Sequence, residues 1–293
     1  MSPSRVLLCF FVFGAMLGGC AKAPSAQPRL TATPVVDTIK TSAIAVPAVL
    51  QQEQPLPKEI FAPSNIGGRS LPVATTADII LKPGEVVLTF DDGPRAGKTE
   101  AILKTLADYN VKATFLMLGS SAEANPRLAQ RVAIAGHTVG SHTYGHVDLS
   151  HLSRQEAIAE IVKGEDAVSA ALAGGGQKLS PFFRFPYLAQ TGFLRTGLIH
   201  SGAVVLDVDI DSKDYYKDTP EAVAARTLAR LDARGSGIIL FHDIHQRTVD
   251  MLPIFLDQLA RRGYSVVRLV PRDNSVFGRD LITAGLAEDG TAL

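Results

Sequence analysis

From Gly84 onward the chain alternates between two hydrophobic patterns. Short runs of apolar, mostly β-branched and aromatic residues predict strands buried on both faces. They fall at Val86–Phe90, Ala113–Leu118, Thr138–Gly140, Phe182–Arg184, Ala203–Leu206, Ile238–Phe241 and Tyr264–Leu269. Between most of them the apolar period lengthens to that of a helix, and start signals appear. Asn125 stands before Pro126, Ser153 and Glu156 have the capping-box spacing, and Thr219 precedes Pro220 and Glu221. Alternating strands and helices, with about 30 residues per unit, imply a parallel sheet. Seven units predict a closed or nearly closed α/β barrel, smaller than the eight-unit form, with an open doubly wound sheet as the alternative. Either architecture puts ligand chemistry just beyond the C-terminal ends of the strands.

The first 83 residues have neither pattern. Arg5 precedes an apolar run from Val6 to Leu17, followed by Gly18, Gly19 and Cys20. A basic start, a short apolar stretch and small residues describe a secretory signal. The run falls short of the roughly 20 residues that span a bilayer. Either this is an ordinary cleaved signal in which Cys20 is incidental, or Cys20 is its purpose. Leu17-Gly18-Gly19-Cys20 resembles the lipobox of bacterial lipoproteins, which implies removal of residues 1–19 and a diacylglyceryl group on Cys20. The protein would then be exported and lipid-anchored, facing the periplasm or the cell surface, because two acyl chains anchor stably where one does not. Between Ala21 and Pro83 lie nine of the chain's 17 prolines, mixed with Ala, Thr, Gln and Ser. That composition predicts an extended, semi-rigid spacer. The stretch around Ile60–Ile80 either continues the spacer or packs on the domain as a lead-in strand. The expected organisation is a signal over 1–19, a linker over 20–83, one folded domain over 84–275 and a C-terminal tail over 276–293.

Composition narrows the partners. With 29 Lys+Arg against 29 Asp+Glu the chain is neutral, which speaks against nucleic acid. At 46% hydrophobic and 20% charged it is too apolar to be disordered. Two cysteines, Cys9 and Cys20, exclude a disulfide framework and a cysteine-based zinc site. There is no tryptophan.

The unusual polar residues sort onto one rim. Asp91-Asp92-Gly93-Pro94 follows the first strand, and His142 and His146 follow the third. Arg184 ends the fourth, with Pro186 and Tyr187 after it. Asp207, Asp209, Asp211 and Asp214 lie beyond the fifth, and His242-Asp243 directly follows the sixth. His142 and His146 are four apart, so a helical turn would put both imidazoles on one face. That spacing is weak alone, and Thr143 excludes the metalloprotease motif, which needs Glu there. A carboxylate from the same rim would complete a catalytic zinc-type site of two imidazoles and one carboxylate. Asp91 and Asp92 point different ways from a strand end, so one can bind metal while the other takes a proton from water. A turn would account for Gly93 and Pro94 but not for two adjacent acids. The run Gly93 to Thr99 imitates a phosphate-binding loop, but only three residues separate its glycines where four are needed, so no nucleotide is expected.

These residues carry a family resemblance. Thr89-Phe90-Asp91-Asp92-Gly93, Ser141-His142-Thr143-Tyr144-Gly145-His146, Arg184-Phe185-Pro186-Tyr187, Asp211-Ser212-Lys213-Asp214-Tyr215 and Leu240-Phe241-His242 resemble the five ordered motifs of the polysaccharide deacetylases. That family is carbohydrate esterase family 4, with the NodB homology domain, and the resemblance runs from Val86 to Leu269. It implies a distorted (β/α)7, TIM-barrel-like fold and a metal-dependent hydrolase of linear amides. Such an enzyme removes N-acetyl groups from an amino-sugar polysaccharide: peptidoglycan, a chitin-like polymer or poly-N-acetylglucosamine. Asp92, His142 and His146 would hold a divalent metal, usually zinc, with cobalt, nickel or manganese as alternatives. Asp91 would be the general base, oriented by Arg184. The Tyr187 backbone N–H would help stabilise the oxyanion. His242 would be the general acid, oriented by an aspartate after the fifth strand, Asp214 for preference. Tyr187, Tyr215 and Leu240 would contact substrate, Leu240 at the acetyl methyl. One departure stands out: the fourth motif usually ends in tryptophan, and here Tyr215 occupies that place. The competing readings are an O-acetyl esterase on xylan-like glycan and a non-catalytic glycan-binding lipoprotein.

Overall fold

The computed structural model describes residues 65–272. The expected signal and Cys20 lie outside the described residues, as do the C-terminal tail and most of the spacer. The strands are β1 (Gly67–Val73), β2 (Glu85–Asp91), β3 (Thr114–Met117), β4 (Thr138–Ser141), β5 (Phe182–Phe183), β6 (Val204–Val205), β7 (Ile210–Asp211), β8 (Gly237–His242) and β9 (Ser265–Pro271). The helices are α1 (Lys98–Asp108), α2 (Gly119–Ala124), α3 (Pro126–Ile134), α4 (Arg154–Ala173), α5 (Gly192–His200), α6 (Pro220–Arg234) and α7 (Gln246–Arg261). Every ladder between described strands is parallel. The order β7-β8-β2-β3-β4-β5-β6 makes a nearly closed barrel whose open seam lies between β6 and β7. Helices surround it, as a distorted (β/α) barrel requires, and the open doubly wound sheet is not what forms.

All seven expected strands are present, and two more join them. β1 pairs with β9 along Gly67–Val73, so the end of the proline-rich stretch supplies a lead-in strand. β7 is two residues long and pairs with β8. The expected caps hold at two helices: Ser153 makes a full capping box with Glu156, and the Thr219 hydroxyl accepts from the Ala222 N–H. Asn125 precedes Pro126 as expected, but its side chain donates instead to the Pro94 and Ser121 carbonyls.

Strands β2, β3 and β8 are largely apolar and buried almost end to end because both of their faces are covered. Successive residues alternate between an inner cluster within the barrel and an outer one under the helices. On β2, Val87 belongs to the inner cluster, whereas Val86, Leu88 and Phe90 pack outward with Ile102, Leu106 and Phe255. On β8, Ile238 is inner, and Ile239 and Phe241 are outer. The same alternation continues to the strand ends. It puts Thr89 and Asp91 of β2, Leu240 and His242 of β8, and Arg184 beyond Phe182 of β5 on the inner face, at the C-terminal mouth. Among the described residues no helix is long and apolar enough to cross a membrane.

Candidate functional site

The mouth of the barrel holds a cavity of 460 Å³ lined by Asp91, Asp92, His142, His146, Phe185, Tyr187, Leu188, Asp211, Tyr215, Leu240, His242 and His245. Seven of the rim residues singled out in the sequence (Asp91, Asp92, His142, His146, Tyr187, Asp211 and His242) therefore converge on one pocket, while Arg184 and Asp214 stand behind its wall, bonded to Asp91 and His242. Asp207 and Asp209 do not line it. Asp207 pairs with Arg195, and Asp209 pairs with Arg234 while accepting from the Ile238 N–H.

Three donors meet on one side. The Asp92 Oδ1 lies 3.6 Å from His142 Nε2 and 3.4 Å from His146 Nε2. One ligand atom from each of the three residues falls within 4.8 Å of the others, a spacing that suits a divalent cation. The donor chemistry fits as well. Asp92 Oδ1 is buried with no hydrogen-bond partner, an orphan that a cation would satisfy. His142 Nδ1 lies 2.8 Å from the Arg184 carbonyl, so its proton sits there and leaves the Nε2 lone pair facing the pocket. Burial lowers the His142 pKa against the pull of Asp91 and Asp92, which keeps the imidazole neutral, as a ligand must be.

The two histidines do not share a helical turn. β4 ends at Ser141, and residues 142–148 form an irregular loop. Left-handed backbone at Thr143 (φ 70°) and His146 (φ 58°) turns the chain back, leaving the imidazole centroids 5.1 Å apart. Thr143 is β-branched, so this conformation is costly and must be imposed by its surroundings. The Gly119 and Ser120 N–H groups at the start of α2 donate to the Thr143 and Tyr144 carbonyls, and Gly164 in mid-α4 packs directly on the Thr143 carbonyl. Gly164→Ala ordinarily gains about 1 kcal/mol of helix propensity. Here the added Cβ would overlap the Thr143 backbone, so a net loss of about 1–3 kcal/mol is expected in denaturant melts.

Asp91 has a separate environment. It is 2% exposed, and Arg184 Nη1 donates to its Oδ1 at 2.8 Å and to the Thr89 hydroxyl at 2.8 Å. Arg184 Nε donates to the Leu206 carbonyl, so β2 and the residue that follows β6 together fix the guanidinium. Thr89 was not assigned a role in the sequence, although period-two spacing from Asp91 marks it as a same-face neighbour.

Opposite stands His242. Its Nδ1 is 2.7 Å from Asp214 Oδ1, and its backbone N–H donates to Asp214 Oδ2, which also accepts from the Thr248 hydroxyl. Nε2 is left facing the cavity. Burial alone would lower the His242 pKa; the Asp214 hydrogen bond and the charges of Asp214, Asp91 and Asp92 together outweigh it and hold the pKa at about 9. Burial pushes the Asp214 carboxyl up, but its bonds to His242 and Thr248 prevail and hold it below the usual range.

The loop carrying Asp214 is itself braced. Arg230 donates to the Asp211 carbonyl, Arg226 to those of Ser212 and Lys213, and Arg247 to those of Asp214 and Tyr216. Tyr215 lies across this loop with its ring 5.5 Å from that of His242, and its hydroxyl donates to Asp211. Burial and that bond push the Tyr215 pKa up to about 12. On the far wall Tyr187 is 67% exposed, with its ring 4.5 Å from that of His146. Among the described residues, six of the seven non-glycine residues with positive φ (Asp92, Thr143, His146, Tyr187, Leu188 and Lys213) belong to the loops around this mouth.

Comparison with known proteins gives a consistent picture. A family model described as polysaccharide deacetylase matches residues 80–201. The chitin deacetylase of Colletotrichum lindemuthianum is 34% identical over 216 residues, covering 70% of this chain and 85% of that protein. The peptidoglycan-N-acetylglucosamine deacetylase PgdA of Listeria monocytogenes is 33% identical over 209 residues, covering 71% of this chain; the chain spans only 42% of that relative's length. Among solved structures, a peptidoglycan deacetylase of Bdellovibrio bacteriovorus superposes with a TM-score of 0.63 at 38% identity, covering 73% of this chain and 60% of that one.

Proposed function

Because this chain belongs to the polysaccharide deacetylase family, we propose that it is a metal-dependent N-deacetylase of a polymer containing N-acetylglucosamine. The observation that carries this is the meeting, in one pocket, of three metal-type donors, an Arg-held carboxylate and a carboxylate-held histidine. Asp92, His142 and His146 would hold the cation, with zinc best suited to the donor set and cobalt, nickel or manganese as alternatives. A cation there supplies a water of lowered pKa and polarises the carbonyl.

The chain's own groups do the rest. Asp91, fixed by Arg184, takes a proton from the attacking water. The Tyr187 backbone N–H donates to the oxygen that gains charge. His242, protonated and aimed by Asp214, gives a proton from Nε2 to the departing amine, which amide cleavage requires. Leu240 walls the floor where an acetyl methyl would sit. Tyr187 and Tyr215 flank the mouth and suit the apolar faces of successive sugars. Tyr215→Ala should raise KM by about 2- to 12-fold with a smaller change in kcat, because stacking of this kind is worth about 0.5–1.5 kcal/mol.

The substrate class draws support from the named relatives, which act on peptidoglycan and chitin. An exported, lipid-anchored placement through Cys20 belongs to the same proposal, since the signal-like start would deliver the enzyme to a wall or matrix polymer. So does a spacer ahead of one folded domain, with that domain taking in β1 as well as the residues from Gly84. The test is acetate release from chitooligosaccharides, peptidoglycan and acetylated xylan, before and after chelation. Release from the first two, lost with chelator and restored by zinc, is expected. Release from xylan alone would assign an O-acetyl esterase, and no release from any would leave a glycan-binding protein.

A further inference from the structure

We propose that Asp243 is a positioning residue for Asp92, propping the Asp92–Arg95 turn from the helix side of the sheet and thereby setting the geometry of the candidate metal centre. The proposal rests on the reading of Asp92 as a metal ligand.

Strand alternation separates Asp243 from its neighbour. His242 faces the pocket, so Asp243, two residues past the outward-facing Phe241, faces α1 instead. There it is 1% exposed, and Oδ2 accepts from the Thr99 hydroxyl at 2.5 Å. That hydroxyl in turn accepts from the Arg95 N–H at 2.7 Å. The carboxyl also lies directly beneath Gly93, where any Cβ would collide with both of its oxygens. Asp243 thus touches one end of the turn directly and the other through Thr99.

The turn needs such support. Asp92 sits at φ 78°, a conformation that disfavours a residue with a side chain. On the other flank Ser121 Oγ donates to the Asp92 carbonyl and the Leu118 N–H donates to the Gly93 carbonyl. The grip is therefore two-sided, with β3 and α2 on one flank and Asp243 with Thr99 on the other. Burial is costly for Asp243, raising its pKa to about 7 against the Thr99 hydrogen bond, so an apolar residue would pack there more cheaply. Fixing a ligand through residues behind it commonly changes metal affinity about 10- to 100-fold.

The experiment is a zinc titration of the full-length apoprotein against a chromophoric chelator, with the apoprotein melting temperature measured in parallel. Asp243→Ala should weaken zinc binding about 10- to 100-fold, well beyond what its change in melting temperature accounts for. Asp243→Asn keeps the planar group beneath Gly93 and an acceptor for Thr99, and should bind close to wild type. Zinc affinity unchanged in Asp243→Ala, or lowered equally in Asp243→Asn, would overturn the inference. Should Asp243→Ala fail to fold, Thr99→Val breaks the same linkage: weaker zinc binding supports the proposal and wild-type affinity overturns it. Absence of zinc binding by the wild-type chain would instead remove the metal reading itself.

Discussion

Asp91→Asn is expected to lower kcat by about 100- to 10,000-fold, the range for loss of a positioned general base, while zinc stays bound. The two parts of this outcome separate Asp91 from Asp92. Asp92 Oδ1 points at both imidazoles, whereas Asp91 Oδ1 is engaged by Arg184 at 2.8 Å and Asp91 Oδ2 stands 3.7 Å from His142 Nε2. An asparagine there retains an oxygen that can accept from Arg184, so the fold survives. It cannot take a proton, and it leaves the guanidinium buried without a counter-charge. Removing one partner of such a pair costs about 3–5 kcal/mol when nothing replaces it, and less with the amide in place. Rate, zinc content by elemental analysis and melting temperature should therefore be read together. Turnover at the wild-type rate in a metal-loaded, folded variant would remove Asp91 from the reaction.

Much of this site is legible in the sequence because strand alternation and strand ends are. Ile238–Phe241 is apolar at every position and Val86–Phe90 at every position but Thr89, and that marks strands covered on both faces. Counting by twos from Val87 to Asp91, or from Ile238 to His242, then tells which polar residues share the mouth. Where the chain leaves regular structure, that logic stops. Four aspartates follow β6, and nothing in their spacing separates Asp207 and Asp209 from Asp211 and Asp214. Their arginine and histidine partners come from other segments, namely Arg195, Arg234 and His242. The loop from His142 to His146 misleads in a similar way. Its spacing suits a helical turn, but contacts from Gly119, Ser120 and Gly164 hold Thr143 left-handed and bring the rings together by another route. β7 escapes notice because two residues carry no period. Asp243 escapes because its significance lies in Gly93 and Thr99, which only the fold brings to it.

Asp214→Asn is expected to move the alkaline limb of kcat/KM to lower pH and to cost about 30-fold or more at pH 8. His242 must be protonated to serve a leaving amine, so activity falls as pH rises through its pKa. In the wild-type chain that pKa is held at about 9 although burial opposes it, chiefly by the Asp214 hydrogen bond and charge. A cation on Asp92 offsets part of the help from Asp91 and Asp92, which places the limb of the loaded enzyme below that value. Replacing Asp214 by a neutral amide leaves burial dominant and takes His242 below the ordinary histidine value of about 6.5. Activity should then recover on acidification toward pH 6, whereas a purely structural defect would lower it evenly at every pH. Stability follows the same pair. The raised His242 pKa contributes stability that is complete below about pH 6.5 and is lost as pH rises through about 9. The depressed Asp214 pKa contributes stability that is present above the ordinary carboxylate value, near 3.8, and is lost as pH falls through its lower folded value. The melting-temperature gap between wild type and Asp214→Asn should therefore be widest between about pH 4 and pH 6.5 and should narrow toward about pH 10. A gap independent of pH, with an unmoved alkaline limb, would show that Asp214 does not set the proton affinity of His242.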